Sequence, residues 1–390
     1  MNNAIGKRLI YLLLILAALV SIASGVKNAY RYSQDFQWDA AKALCLGHDP
    51  YDLSLGSSSV EDIPELDEFY GYFNSIDVKQ DMEANQFPSL LILLFLYTLL
   101  PYRVAVVLWI VSNFIFTAAI LYLLRKTYMK ELGRDEFAIL SLLMIAGTPW
   151  RNQIGVGQHT LFAFSFFLLA VLLSDKKKDT AAGFALAVSY FKYTLTAPLA
   201  LIFIYKRKWK SFIISVGIHI LLTIASALYL NESFIDMIVK PLKVSSALAG
   251  EGSIDISALL SGSGFALIFT GLLMCVLLGL ALKTKAGYEN ENILFAVFLL
   301  AALIITYHRS YDFFVLAAVY PGVKILGEKY DMRIRRIFRV TYLILLLYSF
   351  FGLRIFSESQ PSLVIEAIIY YLFLAAYAIM MIRKPKTLLE

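Results

Sequence analysis

The sequence predicts an all-α integral membrane protein, a single bundle of about twelve membrane-crossing helices, and three observations lead to this fold class. Of the 390 residues, 59% are hydrophobic and 16% are charged, whereas a typical soluble domain is about 45–50% apolar and about a quarter charged. The mean hydropathy is +0.69. Apolar runs close to bilayer-spanning length recur along the chain and alternate with short basic loops.

The formal net charge of +6 does not indicate a nucleic-acid partner. The lysines and arginines stand in short loops between apolar segments, which is the pattern that orients membrane proteins. The two cysteines, Cys45 and Cys275, are far apart. Their spacing matches no metal site and does not favour a disulfide.

The first apolar segment, residues 9–26, follows Lys7 and Arg8, so we expect its N-terminus in the cytoplasm. It resembles a signal sequence, but no small-residue cleavage site with a soluble mature domain follows, and we expect a retained helix. Residues 27–101 then form a long extracytoplasmic loop, rich in Asp and Glu over its first part. This loop is expected to carry juxtamembrane helices.

A short helix is predicted near the start of this loop, over residues 33–46. One face at helical spacing is apolar, and we expect it to lie on the bilayer, with Asp35 and Asp39 at its edge. The members of the face are Phe36, Ala40, Ala43 and Leu44.

Residues 87–101 are apolar but too short to cross a bilayer comfortably. If they crossed, the basic loop 125–134 would lie outside, against the rule that basic loops stay in the cytoplasm. We therefore expect 87–101 to lie in the interface or to re-enter, and 102–124 to be the second crossing.

Ten further crossings are predicted from the remaining apolar runs, with both termini in the cytoplasm and one polytopic domain over residues 1–390. Several contain Gly or Pro, and broken helices at membrane depth tend to line cavities. Residues 230–264 form a second sizeable outer loop. The ten are 136–150, 157–174, 180–192, 193–205, 211–229, 265–282, 291–307, 311–326, 338–354 and 362–382.

Polar residues recur at the predicted outer membrane edge in five places. A leaflet with carboxylates, a histidine and cations beside apolar walls suits a lipid-linked anionic substrate, because a cation can bind phosphate and a carboxylate can act as acid or base. The five groups are Asp35 with Asp39, Arg151-Asn152 with Gly157-Gln158, Lys192, Asp255 with Ser257, and His308-Arg309 with Tyr311-Asp312.

Each group also has a structural interpretation. Asp35 and Asp39 could solvate an acidic loop, Lys192 could snorkel to the interface, and His308 could be a buried structural histidine. Gln158 is a weak signal alone. Asp312 lies in an apolar run, where a lone carboxylate is costly, so we expect a partner in either nearby cation, Arg309 or Lys192.

Signatures of other chemistry are missing from the sequence. It has no Walker loop, no zinc-ligand spacing, no GxSxG and no soluble nucleotide-binding domain. An enzyme without a nucleotide site that works outside the cytoplasm needs an activated donor carried by a lipid. No cofactor is predicted, and a weakly held divalent ion near Asp35 and Asp39 is left open.

The order of motifs resembles glycosyltransferase family 87, the polyprenyl-phosphate-sugar-dependent enzymes of the GT-C class, which include mycobacterial mannosyltransferases. The most specific likeness is a first-loop pattern of Asp35-Phe36, Ala40-Ala41, Leu44, Gly47 and Asp49-Pro50-Tyr51. Other blocks are similar with departures. They are Phe87-Pro88-Ser89, Gly157-Gln158-His159-Thr160 with Thr for Asn, Lys192 with a more distant Pro198, Ile254-Asp255-Ile256-Ser257 with Asp for Asn, and His308 to Asp312.

The resemblance implies a GT-C bundle and an inverting sugar transfer from a polyprenyl-phosphate donor, with mannose the first candidate. The acceptor would be a glycolipid or cell-envelope glycan, and the active site would face outward from the plasma membrane. Asp35, or its neighbour Asp39, would be the general base, and burial would raise its pKa toward a useful value. Further candidates are His308 in catalysis, and Lys192, Arg151, Gln158, Arg309, Tyr311, Asp312 and Ser257 in binding phosphate and sugar.

Two other function classes remain open from the sequence. A transporter or flippase of a lipid-linked or anionic substrate would also have about twelve crossings and broken helices. Against it, the polar sites gather on one leaflet and not at the midplane. A structural or assembly subunit without activity of its own is the third interpretation.

Overall fold

The computed structural model describes residues 2–248, 254, 265–284, 290–352 and 360–382. The described residues form helices and connecting turns, with no β-strand among them. This confirms the predicted all-α class.

The α-helices of these residues follow the chain in order. They are α1 (Asn2–Tyr32), α2 (Trp38–Cys45), α3 (Pro50–Ser54), α4 (Asp67–Ser75), α5 (Pro88–Leu91), α6 (Phe95–Thr98), α7 (Tyr102–Lys126), α8 (Arg134–Ala146), α9 (Thr148–Gly155), α10 (Thr160–Asp175), α11 (Asp179–Ser189), α12 (Tyr193–Tyr205), α13 (Trp209–Leu230), α14 (Asp236–Leu248), α15 (Phe265–Thr284), α16 (Glu291–Ile305), α17 (Tyr320–Glu328), α18 (Met332–Phe351) and α19 (Gln360–Ile382). Short 3-10 helices are Gln34–Phe36, Val60–Asp62, Pro64–Leu66, Ile92–Leu94, Tyr190–Lys192 and Ser310–Val319.

Five helical stretches of the described chain are long and apolar enough to cross a membrane: Ile5–Tyr32, Tyr102–Lys126, Asp179–Tyr205, Trp209–Leu230 and Val364–Ile382. The pair α9 and α10, bent by 109°, would make a sixth if it counts as one broken span. The protein is therefore an all-helical membrane protein. The larger count of about twelve crossings remains a prediction.

The stretch formed by α11 and α12 folds back on itself at the 3-10 turn that ends in Lys192. Lys206, just after α12, lies 2.9 Å from Asp175, just before α11, and Lys208 lies 3.6 Å from Asp179. A straight helix of 27 residues would separate its ends by about 40 Å. The two arms therefore run in opposite directions, with Lys192 at the tip of the hairpin.

The apolar residues 87–101 form a broken run of short helices, α5, a 3-10 turn and α6, before α7 begins. Residues 88–98 are apolar but shorter than a membrane span. This is in keeping with the expectation that the segment does not cross, and its depth in a membrane remains a prediction.

The apolar face predicted near the start of the outer loop exists, but its surroundings differ from the expectation. Phe36, Ala40, Ala43 and Leu44 are all buried inside the protein, and Phe36 stacks on Trp109 of α7 with 4.8 Å between ring centroids. The prediction that this face lies on the bilayer is therefore wrong. Aromatic residues from distant parts of the chain cover the face in place of lipid.

Candidate active site

A polar cavity lies where six separate parts of the chain meet: the residues after α1, the segment before α5, the turn between α9 and α10, the tip of the α11–α12 hairpin, α14, and the segment after α16. It contains about 770 Å³ of unfilled space, counting its open mouth. It is lined by Asp35, Gln37, Glu83, Asn85, Gln86, Gln158, His159, Lys192, Tyr193, Thr194, Ser245, Tyr307, Arg309 and Tyr311. Five of the predicted site residues, Asp35, Gln158, Lys192, Arg309 and Tyr311, therefore meet in one place.

Asp35 is positioned by a short 3-10 turn that directly follows α1. Its backbone N–H donates to the carbonyl of Val156 at 3.0 Å, which ties the turn to the end of α9. The neighbouring Phe36 points away and stacks on Trp109. Asp35 is thereby left to line the cavity.

Gly157 allows the turn between α9 and α10 to approach Asp35 closely. Its φ is +79°, and a Cβ there would lie 3.2 Å from the Cβ of Ser33 and 3.3 Å from that of Phe36. A larger residue would be strained by both the backbone angle and the contacts. Trp109 fixes the turn further by donating its indole N–H to the Gly157 carbonyl at 3.0 Å.

Gln158 connects the carboxylate, a phenol and a cation of the site. Its Nε2 donates to Asp35 Oδ2 at 2.8 Å and to Tyr311 Oη at 2.9 Å. Its Oε1 accepts from Lys192 Nζ at 3.3 Å. Because donors and acceptors are both used, the amide orientation is determined by its partners.

Asp312 holds Lys192 from behind the cavity. Its Oδ2 lies 3.4 Å from Lys192 Nζ and 2.7 Å from His308 Nδ1, and its Oδ1 accepts a hydrogen bond from the Thr160 hydroxyl. Both Asp312 and His308 are fully buried. Lys192 is thus one of the two partners expected for this carboxylate, and His308 contacts Asp312 without lining the cavity.

Arg309 is the second cation on the cavity wall. Its Nε donates to the Tyr307 hydroxyl at 2.8 Å. Together, Lys192 and Arg309 give the cavity two positive groups on the same wall as the Asp35 carboxylate, with Glu83 as a second carboxylate of the lining. This arrangement can bind a phosphate and transfer a proton.

The surroundings of Asp35 raise the pKa of its carboxyl above the usual value. Burial is the largest cause, because it disfavours the charged form. The hydrogen bond from Gln158 and the charges of Arg309 and Lys192 act in the opposite direction. Asp35 is therefore a stronger base than an exposed aspartate.

Other predicted residues lie away from the cavity or outside the described chain. Asp39 is buried and accepts from the Tyr70 hydroxyl at 3.0 Å, and Arg151 binds the side chain of Asn152; neither lines the cavity. Asp255 and Ser257 lie outside the described residues, so their predicted role remains a prediction.

Several cavity residues were missed by the sequence reasoning, chiefly Gln37, Glu83, Asn85, Gln86 and Ser245. The sequence did contain a signal for Gln37. It stands two residues after Asp35, with the apolar Phe36 between them, so the two polar side chains can face the same side. The others are ordinary polar residues of outer loops, and nothing in their local sequence distinguishes them.

An apolar groove adjoins the polar cavity. It contains about 1,070 Å³ of unfilled space, open on one side. Tyr193 lines both spaces, so the two meet at this side chain. The groove is lined by Phe87, Ser89, Leu90, Tyr190, Tyr193, Ala197, Leu201, Phe212, Val216, His219, Ile220, Thr223, Phe234 and Ile238.

One group of three carboxylates in the described chain has the spacing to hold a metal ion: Asp49, Asp52 and Glu232. Lys240 Nζ lies 2.6, 2.9 and 3.3 Å from these three side chains. The single ammonium offsets one of the three negative charges and ties α14 to α3 and to the end of α13. This group is distinct from Asp35 and Asp39, where the sequence leaves a weakly held divalent ion open.

Comparison with known proteins identifies the family. The model of glycosyltransferase family 87 matches residues 87–320, which is more than half of the 390 residues. No curated protein and no solved structure matched the chain. The matched region contains Gln158, Lys192, Arg309 and Tyr311 and begins after Asp35. On the extent of this match, the chain belongs to glycosyltransferase family 87.

Proposed function

We propose that this membrane glycosyltransferase moves a sugar, with mannose the first candidate, from a polyprenyl-phosphate donor to a hydroxyl of a lipid-linked or cell-envelope glycan. The single observation that carries the proposal is the junction at Tyr193, where a polar cavity lined by Asp35, Lys192 and Arg309 meets an apolar groove. A lipid-linked sugar phosphate needs both environments within the length of one molecule.

The donor fits the junction in one direction. Its isoprenoid chain would occupy the apolar groove, because burial of hydrocarbon there is favourable. Its phosphate would then lie beyond Tyr193, within reach of Lys192 and Arg309, the two cations of the cavity wall. The sugar on the phosphate would extend toward Asp35.

The proposed reaction is a single displacement. Asp35 accepts the proton of the acceptor hydroxyl while the acceptor oxygen attacks the anomeric carbon. The bond between that carbon and the phosphate oxygen breaks, and polyprenyl phosphate leaves with the bonding electrons. Lys192 and Arg309 stabilise the negative charge that develops on the phosphate. One displacement inverts the anomeric configuration.

The buried contacts behind Lys192 support its role. Asp312 and Gln158 hold the ammonium at the cavity wall, so little reorganisation is needed when charge develops on the leaving group. His308 is assigned as a positioning residue, since it contacts Asp312 and not the cavity.

We further propose a GT-C bundle in the plasma membrane with the cavity outside and both termini in the cytoplasm. The α11–α12 hairpin supports this orientation. Its tip carries Lys192 in the cavity, and its base carries Lys206 and Lys208 beside the basic loop 176–178. The cavity and the basic loops are therefore at opposite ends of the hairpin, as the positive-inside rule requires of an outward-facing site.

The test is an assay of the purified protein in detergent with short-chain polyprenyl-phosphate mannose and a membrane-lipid extract as acceptor. The expected result is a new glycolipid with a hexose mass gain, read by mass spectrometry, and an inverted anomeric centre, read by NMR. A parallel arm uses the matching arabinose donor. Failure with both donors, together with movement of the lipid across proteoliposomes, would contradict the proposal and favour a carrier.

A further inference from the structure

Two buried glutamines line the cavity with carbonyl oxygens that lack a donor. Gln37 and Gln86 are each 7% exposed, and both line the cavity. The Oε1 atom of each is buried and has no hydrogen-bond partner among the described residues. Burying an acceptor without a donor costs free energy, so such atoms indicate a ligand or solvent that completes them.

In both amides the nitrogen is the hydrogen-bonded end and the oxygen is the unpaired end. Gln37 Nε2 donates to the carbonyl of Glu83 at 2.9 Å. Gln86 Nε2 donates to Asn85 Oδ1 at 3.1 Å. Flipping Gln37 would place its oxygen against the Glu83 carbonyl oxygen, which is repulsive. Two side chains of the cavity wall therefore carry a buried carbonyl oxygen without a donor.

The backbone of Gln37 is held in an unusual conformation. Its φ is +61° and its ψ is 26°, in the left-handed region that residues other than glycine rarely adopt. Such a conformation persists where the surroundings impose it, and it is frequent at ligand sites. Here it separates the 3-10 turn from α2, with Asp35 and Gln37 both lining the cavity and Phe36 between them stacked on Trp109.

Gln86 lies at the passage from the cavity to the apolar groove. Its backbone carbonyl accepts from the buried Tyr51 hydroxyl at 2.7 Å. The next residue, Phe87, lines the groove and packs on Tyr193 with 5.1 Å between ring centroids. Gln86 and Phe87, adjacent in the chain, therefore line the cavity and the groove respectively.

We propose that Gln37 and Gln86 form a hydroxyl-binding pair that holds a sugar ring in the cavity. The inference rests on the proposed function and refines it. Carbonyl oxygens accept hydroxyl donors and repel phosphate oxygens, so this pair is suited to a sugar and Lys192 with Arg309 to a phosphate. The ring belongs either to the donor sugar or to the acceptor sugar, because both offer hydroxyl groups as hydrogen-bond donors.

The test measures binding without turnover for Gln37→Met and Gln86→Met. Methionine is close to glutamine in length but offers only a weak acceptor. The probes are short-chain polyprenyl phosphate, the same lipid carrying mannose on its phosphate, and the methyl glycosides of mannose, glucose, galactose and arabinose. Gln80→Met, in the same outer segment but outside the cavity, is the matched control, and thermal unfolding checks the fold of each variant.

We expect each variant to bind bare polyprenyl phosphate as the wild type does. If the pair holds the donor sugar, each variant loses about three- to tenfold in affinity for the mannosylated lipid. If it holds the acceptor, the same loss falls on a methyl glycoside. Unchanged affinity for every sugar probe in both variants, or no sugar binding by the wild type, would overturn the pair. If bare polyprenyl phosphate did not bind the wild type, that result would contradict the proposed polyprenyl-phosphate donor and not the glutamine pair.

Discussion

Asp35 and Asp39 stand four residues apart, yet their surroundings give them different chemistry. Asp35 lines the cavity and accepts from Gln158. Asp39 is 3% exposed, lies outside the cavity and accepts from Tyr70. Only Asp35 is placed to contact a substrate. Asp39 instead links α2 to α4, so we assign it a structural role.

The pKa of Asp39 gives a prediction for stability. Burial raises it to about 6, because desolvation outweighs the hydrogen bonds from Ala40 and Tyr70. The folded state then binds its proton more tightly than the unfolded state, so wild-type stability falls as pH rises from about 4 through 6. Asp39→Asn stays neutral and should gain stability relative to wild type by up to about 3 kcal/mol at pH 7.5. Thermal unfolding in detergent at pH 4.5 and 7.5 checks this; a gain independent of pH would contradict it.

The raised pKa of Asp35 gives a prediction for activity. As a base it must be ionised, so the rate should fall on the acidic side at a pH above the usual value for aspartate of about 3.9. The charge of Arg309 lowers this pKa. Arg309→Gln should therefore move the acidic limb of kcat/KM to higher pH, in addition to any loss in rate. A limb that stays in place or moves to lower pH would contradict the assignment.

The α11–α12 hairpin is the element that carries Lys192 into the cavity. Both arms are short, and the polar tip is secured by Asp312 in the 3-10 segment after α16. The ion pair is almost fully buried, with the two side chains 9% and 0% exposed. Loss of one partner leaves an uncompensated buried charge, whereas loss of both does not.

This ion pair can be tested with a double-mutant cycle. Asp312→Asn and Lys192→Met should each destabilise the protein by about 3–5 kcal/mol. The double variant should recover part of that loss of stability but none of the transfer activity, because one of the two proposed phosphate-binding cations, Lys192, is absent. Thermal unfolding and the glycolipid assay measure the two effects. Strictly additive losses of stability would contradict the pairing.

Helical periodicity predicts which residues share a face but not what covers that face. The residues Phe36, Ala40, Ala43 and Leu44 were grouped correctly, yet Trp109, some 70 residues away in the chain, covers Phe36 where lipid was expected. That 87–101 does not cross could be predicted because charge in a distant loop constrains topology, and it remains a prediction. Local sequence contained no comparable constraint for the packing of the outer segment.

The residues of the candidate site also fall into those that the sequence could predict and those that it could not. Asp35, Lys192 and Asp312 could be predicted because charged groups beside apolar runs are costly and require a reason. Gln86 could not, because nothing in its local sequence distinguishes it, and for Gln37 the only signal was its place two residues after Asp35. The fold alone shows that both carbonyl oxygens are buried without donors. The resemblance to the family added the order of motifs, and the structure adds their meeting in one cavity.

At the scale of the whole molecule, the α11–α12 hairpin has the cavity at its tip and the basic loop 176–178 at its base, which favours an outward-facing site. Ser57 is exposed in the outer segment, and Lys177 is exposed in the basic loop after α10. With Cys45 and Cys275 replaced by alanine, Ser57→Cys should react with a membrane-impermeant maleimide on intact cells. Lys177→Cys should react only after the cells are permeabilised. The reverse pattern would contradict the orientation.

Asp35 is proposed as the general base of the transfer, and the most direct measurement compares Asp35→Asn with Asp39→Asn in the glycolipid assay. Removing a general base costs about 10²–10⁴-fold in rate. We expect a loss of that size for Asp35→Asn in a protein that still folds and inserts, and a rate close to wild type for Asp39→Asn. Normal turnover by Asp35→Asn, or an equal loss in both variants, would contradict the account.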